Sequence, residues 1–382
     1  MNMKIAILVY NIATLGGVEV VSIWLAKKLS ELHEVEIVSC IKDERHTFEK
    51  SDSLKIDFLD LDNNSQKLSS DEYIKIRDFF SNRQFDIVIL QAGTAIKKCC
   101  LLSDLKLCKI ISDYSRIYYV LHESPKYHLK RYNTEHDGLL KFALKTIYHK
   151  IRYAHVVRTF FRKSKKYIFR FVTLSRGCQK EMKDCYNLDS IVMYNPYIFD
   201  KKEIDFQKKE NTVLYAGRLS SEKDVRLILD SWKLLKNSNA WKLKIIGDGN
   251  QKDFLENYVH TKQIFNVEFL GALLHDEVLK EFQKSKIFML TSFFEGFPTV
   301  ISEAMNYKNV PVVTRYEGFS DELLKSDNSF ICSRNPAEIS EKLETLMLDA
   351  ELLKSFAENG YSQCKDFYDF LERQNYNLGE YK

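Results

Sequence analysis

No apolar run in this 382-residue chain approaches the roughly 18 residues that a membrane-spanning helix requires. Its eight cysteines, Cys40, Cys99, Cys100, Cys108, Cys178, Cys185, Cys332 and Cys364, include no CxxC pair. Without that spacing, reduced thiols in a cytosolic protein are the simplest reading. No GxGxxG opens either half, which disfavours a dinucleotide-dependent oxidoreductase. HExxH spacing is missing among the histidines, and no metal or cofactor is expected. Repeats and low-complexity tracts are absent too. The chain enters directly on Lys4–Tyr10. That run is too short for a signal-peptide core and no small-residue cleavage site follows, so a buried first strand is expected.

What is present is a globular composition, 45% hydrophobic and 29% charged, on a chain long enough for two cores. The first two hundred residues alternate β-branched runs with amphipathic stretches. Lys4–Tyr10, Val35–Cys40, Lys55–Leu59, Asp86–Gln91, Arg116–Leu121, Phe171–Leu174 and Ile191–Tyr194 read as strands. Val18–Leu32 has helical spacing between the first two. After Asn195-Pro196 and a charged stretch the alternation restarts. Thr212–Ala216, Lys242–Ile246, Val267–Leu270, Ile287–Thr291 and Val310–Val313 read as strands. Leu227–Leu235, Lys252–Val259, Val278–Lys284 and Thr299–Tyr307 read as helices between them. Strand–helix alternation implies parallel sheets covered on both faces. The expectation is an α/β chain of two Rossmann-like, doubly wound domains, residues 1–195 and 196–362. A C-terminal helix over 363–382, too aromatic for a free tail, is expected to pack back on the first domain.

Ligands of doubly wound sheets bind beyond the carboxyl ends of the strands. In the second half, Gly217-Arg218-Leu219-Ser220-Ser221-Glu222-Lys223-Asp224 joins a strand to a helix. Arg218 and Lys223 could together hold a diphosphate, with a planar fork and a mobile point charge. Taken alone, this loop reads as two surface cations. Gly247-Asp248-Gly249 also leaves a strand end, where glycine lets a base or phosphate approach the backbone. The most informative segment is Thr291-Ser292-Phe293-Phe294-Glu295-Gly296-Phe297-Pro298-Thr299, which runs into a helix carrying Glu303. Pro298 is expected at the first helical position. A helix N-terminus suits a phosphate, and the two carboxylates around it suit a ligand with hydroxyls at both ends.

Glu295-Gly-Phe-Pro followed by Glu303-Ala-Met resembles the EX7E signature of glycosyltransferase family 4, retaining enzymes of the GT-B fold. Gly217-Arg218-Leu219…Lys223, Gly247-Asp248-Gly249 and Phe269-Leu270-Gly271 stand in the order that family shows. Leu15-Gly16-Gly17 resembles its first glycine-rich loop, and His122 resembles a histidine that often follows a strand there. The resemblance is strong over about 211–325 and diffuse in the first half. It implies two domains facing across a cleft and transfer of a sugar from a nucleotide diphosphate sugar, with UDP the commonest base.

By that resemblance Arg218 and Lys223 would bind the diphosphate, Glu303 the ribose hydroxyls, and Glu295 the transferred sugar. Backbone around Gly217, Gly247, Gly249, Gly296, Phe297 and Thr299 would contact the donor. Gly16 and Gly17 would let the first helix approach phosphate or acceptor. His122 would lie near the sugar through its side chain or carbonyl. Departures are Lys223-Asp224 for the usual Lys-Gly, Lys308-Asn309-Val310 where a glycine is common, and a single glycine in the 317–322 loop. Asp60-Leu61-Asp62 spells the DxD of the other glycosyltransferase fold, but Asn63-Asn64 follows it without matching context, so no metal is expected there.

Residues 126–170 hold thirteen Lys and Arg against two acids, a local excess of eleven on a chain of net +4. Leu140, Leu144, Ile147, Ile151 and Ala154 form one helical stripe, with Lys141, Lys145 and Arg152 on the next. Such a helix suits an anionic membrane surface and a lipid-linked acceptor; a solvated basic face over the first sheet is the alternative. No nucleic-acid module accompanies the charge. The resulting expectation is a cytoplasmic protein, peripheral on the inner face of the cell membrane, acting in bacterial surface-polysaccharide synthesis on glycan or lipid-linked acceptors. A nucleotide-sugar 2-epimerase of similar fold and an inactive scaffold subunit are the alternatives. The EX7E segment with Arg218 and Lys223 argues against both.

Overall fold

A computed structural model describes residues 2–13, 17–42, 54–62, 69–92, 101–126, 155–196, 199–200, 204–236, 240–319 and 321–374. The chain divides into two compact units, Met1–Pro196 with the segment from Gln374, and Tyr197–Arg373.

The first unit runs β1 (Lys4–Val9), α1 (Gly17–Leu29), β2 (Glu34–Ser39), β3 (Lys55–Phe58), α2 (Ser70–Arg83), β4 (Ile87–Ala92), α3 (Leu101–Ile111) and β5 (Arg116–Leu121). Helical residues 155–164 (α4), β6 (Arg170–Thr173), α5 (Arg176–Tyr186) and β7 (Ser190–Val192) follow. Its seven strands form one parallel sheet in the order β3-β2-β1-β4-β5-β6-β7. Ile5, Ala6, Ile7, Leu8 and Val9 are all fully buried, as a strand covered on both faces requires. On α4, Phe160 and Phe161 turn inward to Tyr119 of β5 and Phe171 of β6, while Arg158, Arg162 and Lys163 are exposed. This end of the basic stretch is an amphipathic helix laid on the sheet. Lys141, Lys145 and Arg152 lie outside the described residues.

The second unit runs β8 (Thr212–Ala216), α6 (Val225–Lys233), β9 (Lys242–Ile246), α7 (Lys252–Thr261), β10 (Val267–Gly271), α8 (His275–Lys284), β11 (Ile287–Leu290), α9 (Thr299–Asn306) and β12 (Val310–Thr314). It ends with β13 (Phe330–Cys332), α10 (Pro336–Leu348) and α11 (Ala350–Gln374). The sheet order is β10-β9-β8-β11-β12-β13, again parallel. In each unit the order reverses once, between β1 and β4 and between β8 and β11, and the crevice at that reversal is where such sheets bind ligands.

Three differences from the sequence reading have local causes. β13 was not anticipated, because Phe330–Cys332 is only three residues long and pairs on one side alone, at the sheet edge. Pro298 is the N-cap in extended backbone, one residue before the helix, and not the first helical residue. The helix expected over 363–382 is the end of one continuous helix, α11, which through Arg373 belongs to the second unit. There Phe367 faces Phe297, Tyr368 stacks on Phe199 at 5.6 Å, and the Cys364 thiol donates to the Ser302 carbonyl. Residues 375–382 lie outside the described residues.

Candidate active site

The reversal between β8 and β11 brings the 217–224 loop beside the 291–298 loop. Lys223 Nζ lies 2.6 Å from Glu295 Oε1, with both side chains mostly buried. Backbone ties hold that pair. Phe293 N donates to the Glu222 carbonyl at 2.8 Å, and Thr291 Oγ1 donates to the carbonyls of Lys223 (3.1 Å) and Asp224 (2.9 Å). On the other side Glu295 N donates to the Glu317 carbonyl. Five residues before Lys223, Arg218 is exposed and its guanidinium makes no ion pair among the described residues. Tyr215, fully buried in β8, props this loop by donating its hydroxyl to the Arg218 carbonyl at 3.0 Å. Burial and the charges of Glu295 and Glu222 raise the Tyr215 pKa, so it stays a neutral donor.

Gly247 and Gly249 do work that their spacing alone did not reveal. Gly247 has φ +137°, and a Cβ there would stand 1.9 Å from the Gly217 carbonyl oxygen. One at Gly249 would stand 2.2 Å from the Leu219 oxygen. The close approach they permit is thus of backbone to backbone, locking the Arg218 loop onto the β9 loop. Leu219 N donates to the Asp248 carbonyl across the same junction.

Glu303 stands in the second turn of α9, partly buried, and its carboxylate accepts no hydrogen bond among the described residues. Burial raises its pKa, opposed by the charge of His275. Thr299 opens α9, and Phe297 turns its ring inward against Phe367 at 5.7 Å, leaving only its backbone for a ligand. The Gly296 peptide lies in the loop that precedes them.

In the first unit the reversal lies between β1 and β4. His122 directly follows β5, where its Nε2 is 2.5 Å from Oε1 of Gln91 in β4. Burial drives its pKa down to about 4, so the ring is neutral at pH 7. With an amide oxygen as partner, Nε2 carries the proton and Nδ1 is left as an acceptor. Two residues on, Ser124 donates to the buried Glu181 carboxylate, whose other oxygen pairs with Lys126 at 3.7 Å. Gly17 is the first residue of α1, and nothing lies within 4 Å of where its Cβ would be. Gly16 lies outside the described residues.

The structure therefore places Gly217, Arg218, Lys223, Gly247, Gly249, Glu295, Gly296, Thr299 and Glu303 in the loops and the following helix beyond the carboxyl ends of β8, β9 and β11. Gln91, Tyr215 and Thr291 were not singled out from the sequence. None of these lies in a recognisable pattern except Thr291, which ends the strand before the glutamate loop. Among the described residues no group of three or more His, Cys, Asp or Glu could hold a metal ion. No described helix is long and apolar enough to cross a membrane.

Residues 197–363, most of the second unit, match the family model described as Glycosyl transferases group 1. The chain is 26% identical over 378 residues to a Campylobacter jejuni protein, covering 96% of this chain and 94% of that one. That relative is named GalNAc-alpha-(1->4)-GalNAc-alpha-(1->3)-diNAcBac-PP-undecaprenol alpha-1,4-N-acetyl-D-galactosaminyltransferase. This chain is also 27% identical over 212 residues to an uncharacterized glycosyltransferase of Methanocaldococcus jannaschii, 55% of this chain and only 58% of that protein's length. Among solved structures, Anabaena HepE in complex with UDP and glucose superposes with a TM-score of 0.73 at 16% identity, over 98% of both chains. At that identity the likeness is one of fold, and the fold is GT-B.

Proposed function

We propose that this chain is a retaining glycosyltransferase that moves a hexose-type sugar from a nucleotide diphosphate sugar, a UDP-sugar, to a glycan or lipid-linked acceptor in bacterial surface-polysaccharide synthesis. One observation carries the reading: Lys223 paired with Glu295 at 2.6 Å, in the same loop as the exposed Arg218, at the β8/β11 reversal. A lysine ammonium has three donors, so Lys223 can keep Glu295 and still reach a phosphate oxygen. In this proposal Arg218 and Lys223 hold the diphosphate, and Glu303 accepts from the ribose hydroxyls. Glu295 accepts from hydroxyls of the transferred sugar. Backbone at Gly217, Gly247, Gly249, Gly296, Phe297 and Thr299 lines the donor. His122, with Gly16 and Gly17, serves the sugar and acceptor side; a neutral ring whose Nδ1 accepts suits a hydroxyl and not a phosphate. The named UDP complex and the undecaprenol-linked relative support the donor and acceptor classes by analogy.

The reaction follows from those charges. The acceptor hydroxyl oxygen bonds to the anomeric carbon on the face from which the diphosphate departs. The bond from that carbon to the β-phosphate oxygen breaks, and the acceptor's proton passes to the leaving phosphate. Arg218, Lys223 and the N-terminus of α9 stabilise the charge that builds there, the dominant means by which such sites lower a barrier. No metal or cofactor enters the proposal. Lys141, Lys145 and Arg152 would bring the protein to the anionic inner face of the membrane, where lipid-linked acceptors reside.

Glu295→Gln tests the assignment. The variant is expected to cut sugar transfer at least about a hundredfold while UDP affinity falls no more than about threefold, the pattern of a group used in the transition state. Equal losses in both would remove Glu295 from the reacting sugar. Proton NMR of the wild-type product is expected to show an α-linkage from an α-linked donor; a β-linkage would refute retention.

A further inference from the structure

Arg334 stands outside every motif, in the turn between β13 and α10, yet it reaches three separate segments of the candidate site. Its Nη1 donates to the carbonyls of Thr291 (2.8 Å) and Ser292 (3.2 Å) and to Thr314 Oγ1 (3.3 Å). Its Nη2 donates to the Asp224 carboxylate, and its Cζ lies 3.6 Å from the centre of the Phe293 ring. The guanidinium therefore ties together the end of β11, the end of β12 and the start of α6.

Asp224 makes sense only with that partner. It caps α6 from the left-handed region, at φ +44° and ψ +53°, and its side chain makes no capping hydrogen bond. Glycine occupies this backbone region without strain, and an aspartate there costs free energy that a glycine would not. The glycosyltransferase pattern has Lys-Gly at this point; here the chain has Lys223-Asp224. What the aspartate gains is the charge-assisted bond to Arg334. Thr291 Oγ1 bonds to the carbonyls of both Lys223 and Asp224, and Arg334 holds the carbonyls of Thr291 and Ser292. The clamp thus continues directly into the strand end that leads to Glu295.

We propose that Arg334, paired with Asp224, is a positioning residue that sets where Lys223 and Glu295 stand toward the donor. The inference rests on the donor-site reading above. It predicts that catalysis depends on the clamp separately from stability, because the nucleotide end of the donor would be held by Arg218 and Glu303, which the clamp does not touch.

Three variants decide it: Arg334→Ala, Arg334→Lys and the double variant Asp224→Gly/Arg334→Ala. For each, the thermal midpoint and UDP affinity are measured. The rate of UDP release is then followed from UDP-glucose, UDP-galactose, UDP-N-acetylglucosamine and UDP-N-acetylgalactosamine, below the lowest midpoint. Arg334→Ala strands a carboxylate and should lower the midpoint. The double variant removes both that charge and the backbone strain and should recover it. The kcat of UDP release should nevertheless stay about ten- to a hundredfold down in both, as misplacement by a fraction of an ångström to an ångström implies. UDP affinity should fall less than kcat does, because Lys223 loses part of its hold on the diphosphate while Arg218 and Glu303 keep theirs. Arg334→Lys, which keeps the charge but not the fork, should fall between. Should the double variant fail to fold, a lowered kcat in Arg334→Lys at the wild-type midpoint supports the proposal. A kcat that recovers together with the midpoint, or one that never falls, overturns it. A wild-type protein that releases UDP from none of the four sugars removes the donor-site reading itself, and the inference with it.

Discussion

His122 shows how little a residue's identity says until its surroundings are known. From the sequence it was a histidine after a strand. The structure sets Gln91 against its Nε2 and buries it deeply enough to bring its pKa from 6.5 down to about 4. Below pH 6.5 the unfolded chain therefore takes up a proton that the folded chain refuses. Stability is fully present above 6.5, falls as pH drops toward 4, and levels off below. His122→Gln removes that dependence. The stability gap between wild type and variant should narrow by up to about 3 kcal/mol between pH 7.5 and pH 4.5 in denaturant titrations. Parallel curves would mean that the ring is not held neutral. The acidic and basic residues of the second unit were more legible. Arg218, Lys223 and Glu295 lie in loops that leave strands and Glu303 in the helix that follows, and their order resembles the EX7E pattern of glycosyltransferase family 4. Arg334 was invisible because its partners are backbone carbonyls and a residue 110 positions away.

At the scale of elements, the two sheets follow from hydrophobic runs that stay buried on both faces, and all five strands expected in the second unit are present within a residue at either end. The three-residue β13 escaped because so short a run carries no periodicity to detect. The loops depend on features that periodicity does not encode. Gly247 and Gly17 make the contrast testable. Gly247→Ala forces a Cβ to 1.9 Å from a backbone oxygen at a positive φ, with no flexible side chain to give way. It should destabilise the protein by about 2–4 kcal/mol, seen as a lower thermal midpoint with weakened UDP affinity. Gly17→Ala, at a helix start with open space around it, should leave the midpoint unchanged or raise it, by less than about 1 kcal/mol. Equal effects of the two substitutions would contradict the loop-locking account.

For the whole molecule, the second unit was the more legible because the proposed donor, a nucleotide diphosphate sugar, would make the same demands on any site: cations, exposed backbone N–H groups and carboxylates for hydroxyls. The first unit could be read as a fold only. An acceptor imposes no common pattern, and the basic segment offered for it, centred on Lys141, Lys145 and Arg152, lies outside the described residues. The family-model match, confined to residues 197–363, agrees with that division. The central claim is that the second unit holds a nucleotide diphosphate on Arg218 and Lys223. Calorimetric titration of the full chain with UDP, GDP and ADP, without added metal, tests it most directly. The account predicts micromolar binding of UDP, weakened at least about tenfold in Arg218→Ala, as the loss of a charge-assisted contact implies. Binding of none of the three by a folded protein, or binding indifferent to Arg218, would contradict it.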